Sequence, residues 1–280
     1  MKITESVPII LEAKFLMGLY MELQKPIISE ICLDWADNLE VDTNAIALYL
    51  SLKQALESNN VILSHINYLE NQSYRRIERV IHCSVEDNNC KDIYITPVRS
   101  EREVEMLRMY LNRFFHSCLP IRNLNTHPLE IIFFELFMNI CQHSFDDSGF
   151  AFISYDESNH IKFVFSDLGI GIAQKIKSFF TDKEFLSDAH AIEYATQDLV
   201  STQTTKHNKG RGLNTLISII AIYKANLEII CNHGKFITNS NRTILEDLMY
   251  FYQGTLISIT FEINHLNKKE SHYYEEEIDF

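Results

Sequence analysis

An α/β fold in two units is predicted by three features of this 280-residue sequence. Residues 28–68 run strand, helix, strand. Residues 133–144, FFELFMNICQHS, form an apolar helix interrupted by one polar stripe. Beyond it, helices alternate with a hairpin and two late strands. The expected architecture is an N-terminal α/β module over residues 1–95, an α/β sandwich over 96–266 with helices on one face of a mixed sheet, and a charged tail over 267–280.

Each element has a local cause. ISEICLDWA (28–36) and NVILSHINY (60–68) are short apolar runs of strand length, and DTNAIALYLSLKQALES (42–58) is a helix opened by an Asp or Thr cap. That order favours a parallel pair joined by a right-handed crossover. The following NQSYRRIERVIHCSVEDNNCKDIY is polar, with an exposed turn at VEDNNCKD. SEREVEMLRMYLNRFFHSCL (100–119) reads as a helix behind a Ser cap, and THPLEIIFFELFMNICQHS (126–144) as another, with Pro128 in its first turn. FAFISYDESNHIKFVFSD makes a hairpin, DLGIGI a loop, KGRG the start of the helix LNTLISIIAIYKAN, and NLEIICN and GTLISITFEI the closing strands.

Composition narrows the function classes. With 46% hydrophobic residues, 8 Gly and 5 Pro the chain is ordinary globular protein. A net charge of −13 argues against a broad nucleic-acid surface, which needs clustered Lys and Arg. No apolar stretch has membrane-spanning length, and MKITESVPIILEAKF lacks a signal-peptide core, so the expected location is cytoplasmic. Six cysteines and 11 histidines show no metal-ligand spacing, and no zinc is expected.

Steps of four on a helix drift by only about 40° each, so Glu135, Asn139 and His143 share one face. This ExxxNxxxH is followed by DxGxG at Asp167, Gly169 and Gly171, and by GxGL at Gly210, Gly212 and Leu213. Each motif alone is common. Their order and setting, on a helix, after a strand and before a helix, carry the weight.

Over residues 100–264, including Gly254-Thr255 before the last strand, the sequence resembles the Bergerat-fold (GHKL, histidine-kinase-like) ATP-binding family. The resemblance implies ATP and magnesium as cofactors. It makes Asn139 the magnesium ligand, an amide oxygen suiting that hard cation. It makes Asp167 the acceptor of the adenine amino hydrogen, with Gly169 and Gly171 turning the backbone beside the base. Gly210 and Gly212, with Leu213 behind them, would offer backbone N–H groups to phosphate, and Lys206, Lys209 and Arg211 positive charge. Residues 172–209 would be the nucleotide lid, or else a surface insertion. Glu135 stands one turn before the magnesium residue, where a general base would act on a water or hydroxyl, unless a neighbouring Lys or amide holds it. His143 either contacts the nucleotide or caps the helix.

Within that family the layout is closest to the anti-sigma-factor serine kinases, and residues 28–67 resemble the STAS domain of anti-sigma-factor antagonists. There the hydroxyl after the Asp accepts phosphate, which maps to Thr43 after Asp42; Asn44 and Ala45 replace the expected Ser and Gly. Asp42 and Thr43 equally suit a helix cap. The resemblance implies a regulatory ATPase or serine/threonine kinase acting on a protein partner. The alternative is an ATP-gated binding or dimerisation module without phosphoryl transfer, and the sequence leaves open whether a homodimer forms.

Overall fold

The computed structural model describes residues 2–6, 10–11, 29–35, 40–41, 43–58, 60–69, 71–82, 92–95, 100–118, 126–143, 149–155, 158–197 and 212–266. Three parallel strands, β1 (Lys2–Ser6), β3 (Glu30–Asp34) and β5 (Ile62–Ile66), form the first sheet in the order β1-β3-β5. Two short strands, β2 (Ile10–Leu11) and β4 (Glu40–Val41), pair separately. Helix α1 (Thr43–Ser58) joins β3 to β5, the expected strand–helix–strand unit. A second helix, α2 (Gln72–His82), falls in the stretch read as polar. Its signal was an Asn cap, because the Asn71 Oδ1 accepts the Tyr74 N–H at 2.9 Å, followed by apolar residues at helical spacing. Tyr74 and Ile77 are buried while Arg75 and Glu78 are exposed, and a one-sided helix in a charged stretch looks polar on average.

The second sheet contains β6 (Asp92–Ile95), β7 (Gly149–Tyr155), β8 (His160–Asp167), β9 (Asn226–Thr238) and β10 (Thr243–Glu262), in the order β6-β7-β8-β10-β9. Every described pairing in it is antiparallel, where a mixed sheet was expected: β7–β8 and β9–β10 are hairpins, while β6–β7 and β8–β10 pair across helical connections that reverse the strand direction. Its edge strand β6 comes from the end of the segment assigned to the N-terminal module. Six helices accompany it among the described residues: α3 (Glu101–Cys118), α4 (His127–His143), α5 (Ile172–Phe179), α6 (Asp188–Ala195), α7 (Gly212–Tyr223) and the single turn α8 (Ile263–Leu266). Ser100 and Glu103 cap α3 reciprocally: the Ser100 N–H donates to the Glu103 carboxylate at 2.9 Å and the Glu103 N–H to the Ser100 hydroxyl at 3.3 Å.

Both faces of the five-stranded sheet's central strands are covered. Ala151, Ile153, Ile161, Phe163 and Phe165 point to one core with α3, α4 and α7, while Phe150, Phe152 and Val164 point to another with α1 and the first sheet. Helices on a single face were expected. The strands already carried the sign of double coverage, since FAFIS and FVFS run apolar without alternation. Helix α1 fills the space between the two sheets, and every residue from Asn44 to Leu52 is buried. A helix that is apolar all round requires such a place. Polar bonds also cross: the Arg76 guanidinium makes two bonds to Asp92 at 3.0 and 3.1 Å, and the Asn44 side-chain amide donates to Glu228 on β9 at 3.0 Å.

At the C-terminal end of β3 and β5, His65 sits among Trp35, Tyr49, Tyr68 and Tyr74. The Trp35 indole N–H donates to His65 Nδ1 at 3.3 Å, so that nitrogen must be unprotonated, and Nε2 meets the Tyr49 hydroxyl at 3.1 Å. Burial pushes the imidazole down to about 4, and the Lys53 charge adds to it.

Two outcomes follow from this packing. Because α1 belongs to a core shared by both sheets, Leu52→Ala should cost about 2–5 kcal/mol, and urea unfolding followed by the emission of Trp35, the only tryptophan, should coincide with far-UV circular dichroism. Separated transitions would mean independently folding units. His65 has a depressed folded pKa, so its contribution is complete above the unfolded value and is lost as pH falls from about 6.5 to about 4, by up to about 3 kcal/mol. His65→Gln should remove that dependence in urea titrations across the same range.

Candidate functional site

Strand alternation decides which predicted residues can meet. On β8 the odd positions face α4 and the even positions face α1, so Asp167 ends the strand on the α4 side. Its register partner on β10 is Thr255. The Asp167 carboxylate accepts the Gly169 N–H at 2.7 Å, and the Thr255 hydroxyl and N–H also donate to it. Burial nonetheless dominates and pushes this carboxyl up to about 6, against those bonds and the Lys175 charge on α5.

The loop after Asp167 is built around tight approaches. Gly171, at φ 82°, is the N-cap of α5. Gly254, at φ 92°, lies so close to Asp167 that an added Cβ would collide with the Asp167 carbonyl and come within 2.7 Å of Leu168 Cα. Gly169 contributes its N–H rather than a positive φ. Asn232 on β9 pins the loop from below: its amide donates to the Ile170 carbonyl at 3.1 Å, and its oxygen accepts the Gln174 N–H at 3.2 Å.

The polar stripe lies on α4. Glu135 is exposed and Asn139 half-buried, one turn apart, and neither makes a side-chain hydrogen bond to another described residue. Partial burial alone raises the Glu135 carboxyl above its ordinary range, with no cation or amide opposing it. Glu135 shares a shallow groove with Ile131, Leu136, Thr215 and Ile219, so it faces the first turns of α7. The α4 helix also reaches Asp167. A Cβ built on Gly149 would strike the Ile140 side chain, next to Asn139, and would lie 3.7 Å from Asp167 Cβ. The first two motifs therefore border one side of the sheet. His143 closes the α4 backbone, Gly212 opens α7, and Leu213 packs on the core beneath. Lys206, Lys209, Gly210 and Arg211 lie outside the described residues. Thr43 is the first residue of α1 and half-buried, while Asp42 lies outside the described residues.

The span expected to be a lid is anchored for much of its length. Ala173 and Ile176 of α5, and Ala189, Ala191, Ile192 and Ala195 of α6, are buried in the main core. Lys177 bonds Asp188 at 2.7 Å, and the other Asp188 oxygen accepts the His233 N–H at 2.9 Å. Residues 172–197 are thus a packed helical layer, and 198–211 lie outside the described residues. Thr255, Asn232, Gly149 and Lys175 complete the site without having been singled out as ligand-binding residues. Gly254-Thr255 was legible as a dipeptide before a strand, whereas nothing local marks Asn232.

The residues present suit a nucleotide with magnesium. Asp167 offers a desolvated acceptor beside a glycine loop, and Asn139 a hard oxygen with no other partner among the described residues. Among those residues no three His, Cys, Asp or Glu gather as a metal cage, and magnesium held chiefly by phosphates needs none.

No protein-family model matches the chain, and no curated protein does. Among solved structures it is similar to the ATPase region of Saccharomyces cerevisiae topoisomerase II, with 13% identity and a TM-score of 0.25 over 42% of this chain and 33% of that one. It is similar also to the same region bound to ICRF-187 (dexrazoxane), with 14% identity, a TM-score of 0.25 and the same coverage, 42% and 33%. The chain spans about a third of those chains' length. A similarity this slight fixes neither a family nor an activity. Among the described residues no helix is long and apolar enough to cross a membrane.

Asp167 has a raised folded pKa, so its carboxyl favours the folded state when protonated. That contribution is present below about 3.8 and is lost as pH rises to about 6, by up to about 3 kcal/mol. The slope opposes that of His65 over nearly the same range. Asp167→Asn should therefore expose a stability that falls steadily on acidification from pH 6.5 to 4, read by urea titration; a flat profile unchanged from the parent would rule out this opposition.

Proposed function

We propose that the protein binds Mg-ATP at the Asp167 side of the five-stranded sheet and turns it over as a regulatory ATPase or serine/threonine kinase acting on a protein partner. The observation that carries the reading is the half-buried Asp167, its carboxyl desolvated and braced by Gly169 and Thr255, on the same sheet face as Glu135 and Asn139, which have no side-chain partner among the described residues. A carboxylate with a free oxygen lone pair at the rim of a glycine loop selects an amino group, as adenine presents and guanine at that edge does not. Asn139 would hold the magnesium ion through its amide oxygen, and the ion would neutralise phosphate charge.

Glu135 supports turnover over binding alone. Its carboxyl is raised by partial burial, has no bound partner among the described residues and opens on the α4–α7 groove, conditions that suit acceptance of a proton from a water or hydroxyl. Binding without chemistry has no use for such a group.

Isothermal calorimetry with Mg-ATP, paired with phosphate release and intact mass, tests the reading. The parent should bind ATP, and Asp167→Ala should abolish binding. Glu135→Gln should keep binding and lose turnover by roughly 10²–10⁴-fold. A gain of mass by one phosphate would mark a protein hydroxyl as acceptor, and free phosphate alone a water. A parent that binds no ATP would overturn the proposal.

A further inference from the structure

The side of Asp167's strand that faces away from the nucleotide carries a buried chain of hydroxyls. Ser51 of α1, Ser166 of β8 and Tyr252 of β10 are each 1% exposed. Ser51 Oγ lies 2.7 Å from Ser166 Oγ, and Ser166 Oγ lies 2.7 Å from the Tyr252 hydroxyl. The protons can be assigned in turn. Ser51 donates to the Ala47 carbonyl at 3.1 Å and has no second proton, so Ser166 donates to Ser51 and Tyr252 donates to Ser166. The chain starts on the second sheet and ends on a helix of the N-terminal unit.

Its two anchor points on the sheet adjoin the site. Ser166 immediately precedes Asp167, so the peptide between them is held from one side by α1 and from the other by Gly169 and Thr255. Tyr252 sits where the β9–β10 ladder is irregular: β10 advances from Tyr252 to Thr255 while β9 advances from Asn232 to Cys231. A bulged segment lacks regular cross-strand bonds, so side chains must set its position. This one leads directly into Gly254 and Thr255. Opposite Tyr252 stands Asn232, which holds the loop at Ile170 and Gln174.

We propose that Ser51 and Tyr252 are positioning residues for the nucleotide base: through Ser166 they fix the strand ends that aim Asp167 and Thr255, making the N-terminal unit part of the nucleotide site. The inference rests on the ATP reading above. Buried hydroxyl networks specify geometry more sharply than apolar packing, because each member has few acceptable positions.

Full-length protein is used for the test, with Mg-ATP and Mg-GTP affinities from calorimetry and melting temperatures measured alongside. Ser51→Ala and Tyr252→Phe should weaken ATP binding and lower the ATP-to-GTP preference by roughly fivefold or more, the effect of one lost hydrogen bond. Ser51→Thr, which restores the hydroxyl, should recover the preference. Leu56→Ala, fully buried on α1 away from the hydroxyls, should lower the melting temperature yet leave the preference unchanged. The inference is overturned if Ser51→Ala and Tyr252→Phe keep the parental preference within about twofold, or if Leu56→Ala shifts it equally. A parent that binds neither nucleotide overturns the ATP reading and this inference with it.

Discussion

The burial of α1 between two sheets is the constraint on which the rest of the molecule depends. The segment from Asn44 to Leu52 has no solvent-facing side, so it can exist as a helix only with cover all round. The first sheet supplies Ile31 and Leu33 from one direction, and the second supplies Phe150, Phe152 and Val164 from the other. Alanines at 45 and 47 keep parts of the helix thin. Once α1 is in place, the second sheet is covered on both faces. Its strand ends then become rigid points on which a site can be built.

At one of those ends, that of β8, the structure holds an acid where water is scarce. Asp167 keeps three donors and still titrates near 6, so it is an unfavourable group for stability at neutral pH. Functional sites commonly retain such groups because an acceptor already stripped of water binds its ligand without further desolvation. Glu135 is a milder case, raised by partial burial and opposed by nothing. His65 shows the opposite arrangement in the N-terminal unit, an imidazole kept neutral by burial and by the Lys53 charge, with Nδ1 accepting the Trp35 N–H.

The helical layer after the glycine loop is fastened at each step. Gly171 starts α5, Asn232 holds that start, Lys177 ties α5 to Asp188, and Asp188 returns to β9 through His233. A hydrophobic layer of small residues, Ala173, Ala189, Ala191 and Ala195, lets α5 and α6 lie close on the sheet. Residues 172–197 are therefore a fixed layer of the sheet's cover.

Much of this was legible in the sequence. The strand–helix–strand unit, the Ser100 cap, the hairpin and the stripe of Glu135 and Asn139 follow from spacing and end signals, which act over a few residues. Helix α2 escaped because its apolar positions, among them the buried Tyr74 and Ile77, are interleaved with charged residues that make the stretch polar on average. What the sequence determined by itself is the set of local elements and the chemical types available in the loops. Tertiary structure decided which face of the sheet each strand residue occupies, that α1 covers the second sheet as well as the first, and that Thr255, Asn232 and Gly149 surround Asp167. Those facts depend on register and on contacts between residues far apart in the chain, for which no local periodicity exists.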